Sequence, residues 1–112
     1  MKTIYVAGGM RGYKDFNFPA FDAARDMLLQ QGWNVISPAD LDRARGIEGI
    51  GMRGDEPFTT EQVEQFVRED VEAVIKADAI YLLKGWENSK GARSEKAVAE
   101  WLGREILFEH IG

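Results

Sequence analysis

Apolar residues along this chain follow two different periods. Ile4-Tyr5-Val6 and Ala79-Ile80-Tyr81-Leu82-Leu83 are short, unbroken apolar runs of the kind that form strands covered on both faces. Elsewhere the spacing is three and four. Phe18, Phe21, Ala24 and Leu28 mark one face of a helix that stops at Gly32, and Val63, Phe66, Val67, Val71, Val74 and Ile75 mark another. Thr59 and Gln62 have the spacing of a capping box, which starts that second helix and carries it to about Ala77. Strands are predicted at 2–7, 33–37, 78–83 and around 106–108. A third helix is predicted over Ala92, Glu95 and Ala99, with Gly103 as its stop.

Strand and helix therefore alternate, four strands with three helices, which predicts an α/β fold: a mainly parallel sheet with helices on its faces and right-handed crossovers. A flavodoxin-like three-layer sandwich is the expected architecture, with residues 1–112 as a single domain. Ligands of such sheets bind beyond the carboxyl ends of the strands, where the strand order reverses. The loops after the first and third strands open there. Residues 41–58 have no periodic pattern and contain Gly46, Gly49, Gly51 and Gly54, an abnormally long connection that reads either as a lid or as a separately packed excursion.

Two carboxylates break the helical pattern. Asp70 falls at offset seven from Val63, inside the apolar stripe, and Glu95 lies between Ala92 and Ala99 on the face that must pack against the rest of the fold. A carboxylate there needs compensating partners or a chemical role. Arg68 or Arg11 could neutralise Asp70, and Arg93 or Arg104 could pair with Glu95. Two acids converging on one pocket suit displacement at a sugar carbon, one attacking the anomeric centre and the other handling a proton on the leaving group. The loop Gly8-Gly9-Met10-Arg11-Gly12 adds backbone amides and a forked cationic donor suited to an anion, although an ordinary strand-to-helix turn has the same composition. It matches neither the dinucleotide fingerprint nor the Walker loop.

Composition narrows the partners. With 19 acidic and 14 basic residues the net charge is −5, which repels a nucleic acid polymer but not one phosphate on a small ligand. Nothing approaches a membrane span, and no signal peptide opens the chain, so a cytoplasmic, soluble protein is expected. The absence of cysteine removes disulfides, thiolate zinc sites and a cysteine nucleophile. His110 is the only histidine, and a lone terminal histidine argues for no metal.

Tyr5 followed by Gly8-Gly9-Met10-Arg11-Gly12, Asp70 ahead of Ala77-Asp78, and Ser89, Gly91 and Glu95 in one short stretch together resemble the nucleoside 2-deoxyribosyltransferase superfamily over nearly the whole chain. The likeness is closest to a small branch carrying Asp15-Phe16-Asn17-Phe18-Pro19-Ala20-Phe21 and Gly85-Trp86-Glu87-Asn88-Ser89-Lys90-Gly91-Ala92-Arg93. That resemblance implies a glutamate nucleophile at Glu95, an acid that contacts or protonates the leaving base at Asp70, and an orienting tyrosine at Tyr5. Serine six residues before the nucleophile is the habit of the nucleoside monophosphate hydrolases in that superfamily, so Ser89 and Arg11 tilt the comparison towards a 5′-phosphate. Ser89 is equally placed to be an N-cap. The resemblance also implies a homodimer or higher assembly. Trp86 reads either as a base-stacking residue or as cover for the end of the sheet.

The expectation is an N-glycosidase or deoxyribosyltransferase acting on a nucleotide or nucleoside. Glu95, Asp70 and Tyr5 would be catalytic, Gly8, Gly9, Met10, Arg11, Gly12, Trp86, Ser89 and Gly91 would bind substrate, and no cofactor or metal is required. A domain that binds a nucleotide without turning it over would use the same pocket, and an interaction module with a vestigial pocket would do neither.

Overall fold

Alternation within the first strand decides the layering. In β1 (Thr3–Ala7), Ile4 and Val6 face one way and join a core with Phe18, Phe21 and Leu28 of α1 (Phe18–Gln30), all fully buried or nearly so. Tyr5 and Ala7 face the other way. They meet Val74 of α3 (Thr60–Lys76) and Ala92 and Ala99 of α4 (Lys90–Trp101). A side-chain period of two thus gives a helix layer on each side of one sheet. Each large apolar side chain buried in these cores stabilises the fold by roughly 1.5–3 kcal/mol.

The computed structural model describes residues 2–109. Its remaining elements are β2 (Asn34–Ile36), α2 (Pro38–Ala44), β3 (Ala79–Leu82) and β4 (Glu105–Phe108), and all three strand pairings are parallel. The sheet order is β2-β1-β3-β4, with Tyr5 opposite Ile36 on one side and Ile80 on the other. This is a single α/β domain of the flavodoxin-like kind. The order reverses between β1 and β3, so the crevice lies beyond the ends of those two central strands.

The strands and the three long helices fall where periodicity puts them, and α3 carries the capping box in full: Thr59 Oγ1 accepts from the Gln62 amide at 3.1 Å and Gln62 Oε1 from the Thr59 amide at 2.8 Å. One helix was not expected. Residues 41–44 belong to α2, which Ser37 caps by accepting the Ala39 amide at 3.3 Å, with Pro38 at the first helical position. Pro38 reads as the end of a strand and is also the start of a helix too short for a period to show.

The rest of the long connection is packed. Asp15, Phe16 and Asn17 take left-handed backbone conformations in succession (φ 57°, 50° and 59°), which costs about 1–2 kcal/mol per residue. Contacts with the connection hold this turn. The Asp15 amide donates to the Met52 carbonyl and the Gly51 amide to Asp15 Oδ1, both at 2.7 Å, and Phe16 is buried. Gly54 sits at φ 104°, where a Cβ would come within 2.3 Å of the Tyr13 carbonyl oxygen. The segment that reads as lid or excursion is thus an excursion fastened to the loop after β1.

Candidate functional site

Three chain segments frame the crevice. The chain leaves β1 through Gly8, Gly9, Met10 and Arg11; it leaves β3 through a short 3₁₀ turn, Trp86–Asn88, and enters α4 at Ser89; α3 closes the side. Close approach makes the two glycines necessary. A Cβ on Gly8 would lie 2.8 Å from Leu83 Cδ1, and one on Gly9 would lie 2.5 Å from the Tyr13 ring. Asn17, from the left-handed turn, donates to the Gly9 carbonyl at 3.0 Å and fixes the loop from behind.

The crevice has two lobes. The narrower, about 270 Å³, is lined by Gly8, Gly9, Tyr13, Pro38, Asn88, Ser89 and Ala92. The wider, about 590 Å³, is walled by Phe16, Ile47, Phe58, Val63, Phe66, Val67 and Val71. Met10, Arg11, Asp70, Lys90, Gly91 and Glu95 border both. Residues 25 apart in the chain, on two helices, therefore bring their carboxyl groups to one junction.

Glu95 rests on the sheet. The fully buried Tyr5 donates its hydroxyl to Glu95 Oε2 at 2.7 Å, a contact set by the strand alternation that turns Tyr5 towards α4. Burial first, and then the nearby charge of Asp70, push the Glu95 carboxyl up to about 8 against the lowering effect of the Tyr5 hydrogen bond. Burial also raises Asp70, to about 6, while the Arg45 guanidinium pulls the other way. The Tyr5 phenol lies well above its ordinary value because it is buried and faces both carboxylates, so it remains a donor.

The partners proposed from sequence for these acids do not engage them. Arg68 lies 3.9 Å from Glu64, Arg93 donates to the Glu87 carbonyl, and Arg104 donates to the Ile75 carbonyl. Arg11 donates to the Glu56 carbonyl and lies over the Phe58 ring, 5.0 Å from its centroid, so it roofs the wide lobe as well as bordering the narrow one. The cation facing Asp70 is Arg45, at 3.4 Å.

Of the residues expected to bind substrate, Gly8, Gly9, Met10, Arg11, Ser89 and Gly91 line the crevice. Gly12 and Trp86 are not among its walls. Gly12 donates its amide to the Gly54 carbonyl at 2.9 Å, tying the loop to the excursion. Trp86 packs against Phe108, ring centroids 6.0 Å apart, and so covers the end of the sheet. Ser89 both lines the narrow lobe and caps α4, accepting the Ala92 amide at 3.1 Å. His110 lies outside the described residues.

Arg45, Asp42, Phe58, Phe66 and Lys90 join the site without a signal in the sequence that marks them for it. The Asp42-to-Arg45 spacing is that of an ion pair one helical turn apart, but it is meaningful only once Ser37-Pro38 is recognised as a helix start. Among the described residues no cluster of histidine, aspartate and glutamate side chains is arranged to hold a metal ion, and no helix is long and apolar enough to cross a membrane. No curated protein matches the chain at a significant level. Residues 2–108 match the model of a family described as a domain of unknown function, DUF4406, and the chain belongs to that family.

Proposed function

We propose that the protein cleaves the N-glycosidic bond of a nucleoside 5′-monophosphate, or of a nucleoside, through a glycosyl ester on Glu95. The observation that carries this reading is the junction itself: two carboxyl groups with raised proton affinity face both lobes, and one is oriented by a buried tyrosine.

Tyr5 holds Oε2, which leaves Oε1 of Glu95 to attack the anomeric carbon from the face opposite the base. The carbon–nitrogen bond breaks, its electron pair goes to the base, and Asp70 supplies the proton that neutralises it. Water then attacks the glycosyl ester, its proton returns to Asp70, and Glu95 leaves as carboxylate; an incoming base attacking instead gives transfer. The wide lobe, with Phe16, Phe58 and Phe66, suits a flat heterocycle. Between pH about 6 and about 8 the pair holds one proton, mostly on Glu95 in the free protein, and the reaction draws on the tautomer in which that proton sits on Asp70 and Glu95 is ionised. Below about 6 both acids are protonated and the nucleophile is lost, and above about 8 both are ionised and the proton donor is lost. Activity therefore peaks near pH 7.

Support for the phosphate comes from α4. Its first residue is Lys90, a cation at the positive end of the helix dipole, where a cation is unfavourable unless an anion lies nearby. The α4 N-terminus and the Gly8-Gly9-Met10 loop flank the same narrow lobe, with the Ser89 hydroxyl beside them. Six residues of helix, about 9 Å of rise, separate Ser89 from Glu95, the scale of a pentose 5-phosphate.

Incubation with a panel of nucleosides and 5′-monophosphates, followed by chromatography for free base, tests the reading. Base release that disappears in Glu95→Ala supports it, and an added acceptor base separates transfer from hydrolysis. Saturable binding without base release would replace it with a non-catalytic nucleotide-binding domain.

A further inference from the structure

Three carboxylates compete for one guanidinium beneath the junction. Arg45, at the carboxyl end of α2, has a side chain only 8 % exposed, and it reaches Asp42 on its own helix turn, Glu69 at 2.7 Å and Asp70 at 3.4 Å. Its distribution among them is uneven. The Nη2 group is taken by Asp42, while the single Nη1 group serves both Glu69 and Asp70 and lies nearer Glu69. The guanidinium also lies 4.7 Å from the centroid of the Phe66 ring, and its Nε is buried without a hydrogen-bond partner among the described residues. An arginine so enclosed stays beside Asp70, and how its Nη1 divides between Asp70 and Glu69 is set by those two carboxylates.

We propose that Arg45 is a positioning residue for Asp70, and that Glu69, by holding the shared Nη1, sets how firmly Asp70 is gripped. This rests on the glycosidase reading for its purpose but not for its test. Asp70 must carry a proton when the base leaves, so a full bidentate grip by arginine would disable it, and no grip would leave its carboxyl unoriented at the mouth of an apolar lobe. Glu69 is 43 % exposed on its side chain, so it can draw on Arg45 while remaining solvated. The charged and titratable groups facing Asp70 are then Arg45 and Asp42 from α2, Glu69 from its own helix, Glu95 from α4 and Tyr5 from β1, with Arg11 and Lys90 bordering the same crevice.

The test is the titration of the Asp70 carboxyl, followed by carbon-detected NMR in the free protein. Glu69→Gln removes one negative neighbour and releases Nη1, so Asp70 titrates about one pH unit lower; Arg45→Met removes the cation, so it titrates at least about one unit higher. Arg45→Met leaves the buried Asp42 unpaired and can fail to fold, in which case the surface variant Glu69→Gln decides alone. A downward movement in Glu69→Gln supports the sharing. An unchanged or raised Asp70 in that variant overturns it, whatever the activity. Where base release is measurable, the acid limb of its pH profile moves down in Glu69→Gln with KM unchanged, whereas a Glu69 without electrostatic reach to Asp70 moves neither the limb nor the titration. The expected titration without base release would leave the sharing intact and defeat the glycosidase reading; base release with an unmoved Asp70 would do the reverse.

Discussion

Replacing Glu95 by glutamine stabilises the protein by an amount that grows with pH. Burial raises the folded carboxyl to about 8 from an ordinary value of 4.5. The folded state therefore binds this proton more tightly than the unfolded chain, so the favourable contribution is fully present below pH 4.5 and is lost as pH rises through 8. A gap of about 3.5 pH units at about 1.36 kcal/mol each amounts to between 4 and 5 kcal/mol, on the order of the full cost above pH 8, and to about 3 kcal/mol at pH 7. Glutamine keeps the shape and an oxygen to accept from Tyr5, and has no charge to bury. For a domain of this size about 1 kcal/mol moves the melting temperature by about 4 °C. Circular-dichroism melts of both proteins at intervals from pH 4 to 8.5 then give curves that nearly coincide at pH 4 and separate by about 12 °C at pH 7. A separation that does not vary with pH, or a less stable variant at pH 7, would refute the burial argument.

Removing the hydroxyl in Tyr5→Phe takes away the hydrogen bond that lowers Glu95, so the alkaline limb of the base-release profile moves above about 8 and kcat/KM falls by roughly tenfold or more; a rate profile over pH 5–10 checks both. Lys90→Gln raises KM for a 5′-monophosphate by roughly tenfold and leaves KM for the matching nucleoside unchanged, because an ionic contact to phosphate is worth about 1.4 kcal/mol or more; equal effects on both substrates would remove Lys90 from the phosphate site. Gly54→Ala forces a side chain into the Tyr13 backbone at a left-handed position and lowers stability by about 2 kcal/mol or more in urea unfolding.

The layers of this fold were legible because each long element keeps one period throughout. The same periodicity exposed Asp70 and Glu95 as charges on apolar stripes, and β1 alternation turned Tyr5 towards the helix that carries Glu95. What was not legible depends on contacts between distant segments. Arg45 gains its place only when α2 forms, and α2 is two turns long with its start disguised as the end of a strand. The excursion packs through three consecutive left-handed residues, Asp15, Phe16 and Asn17, none of them glycine, so nothing in the local sequence announces the turn that fastens it. Trp86 illustrates the opposite case: a large flat ring beside a ligand loop suits stacking or cover equally, and only the position of Phe108 distinguishes them.

The central claim is a covalent bond between a sugar and Glu95. A nucleoside 5′-monophosphate carrying fluorine at the 2′ carbon slows breakdown of the glycosyl ester by destabilising positive charge at the anomeric carbon, so the ester accumulates for mass spectrometry. A mass increase equal to the fluorinated sugar phosphate is expected on the peptide containing Glu95 and is absent from Glu95→Ala. Release of base without any adduct, or an adduct on a different residue, would contradict it.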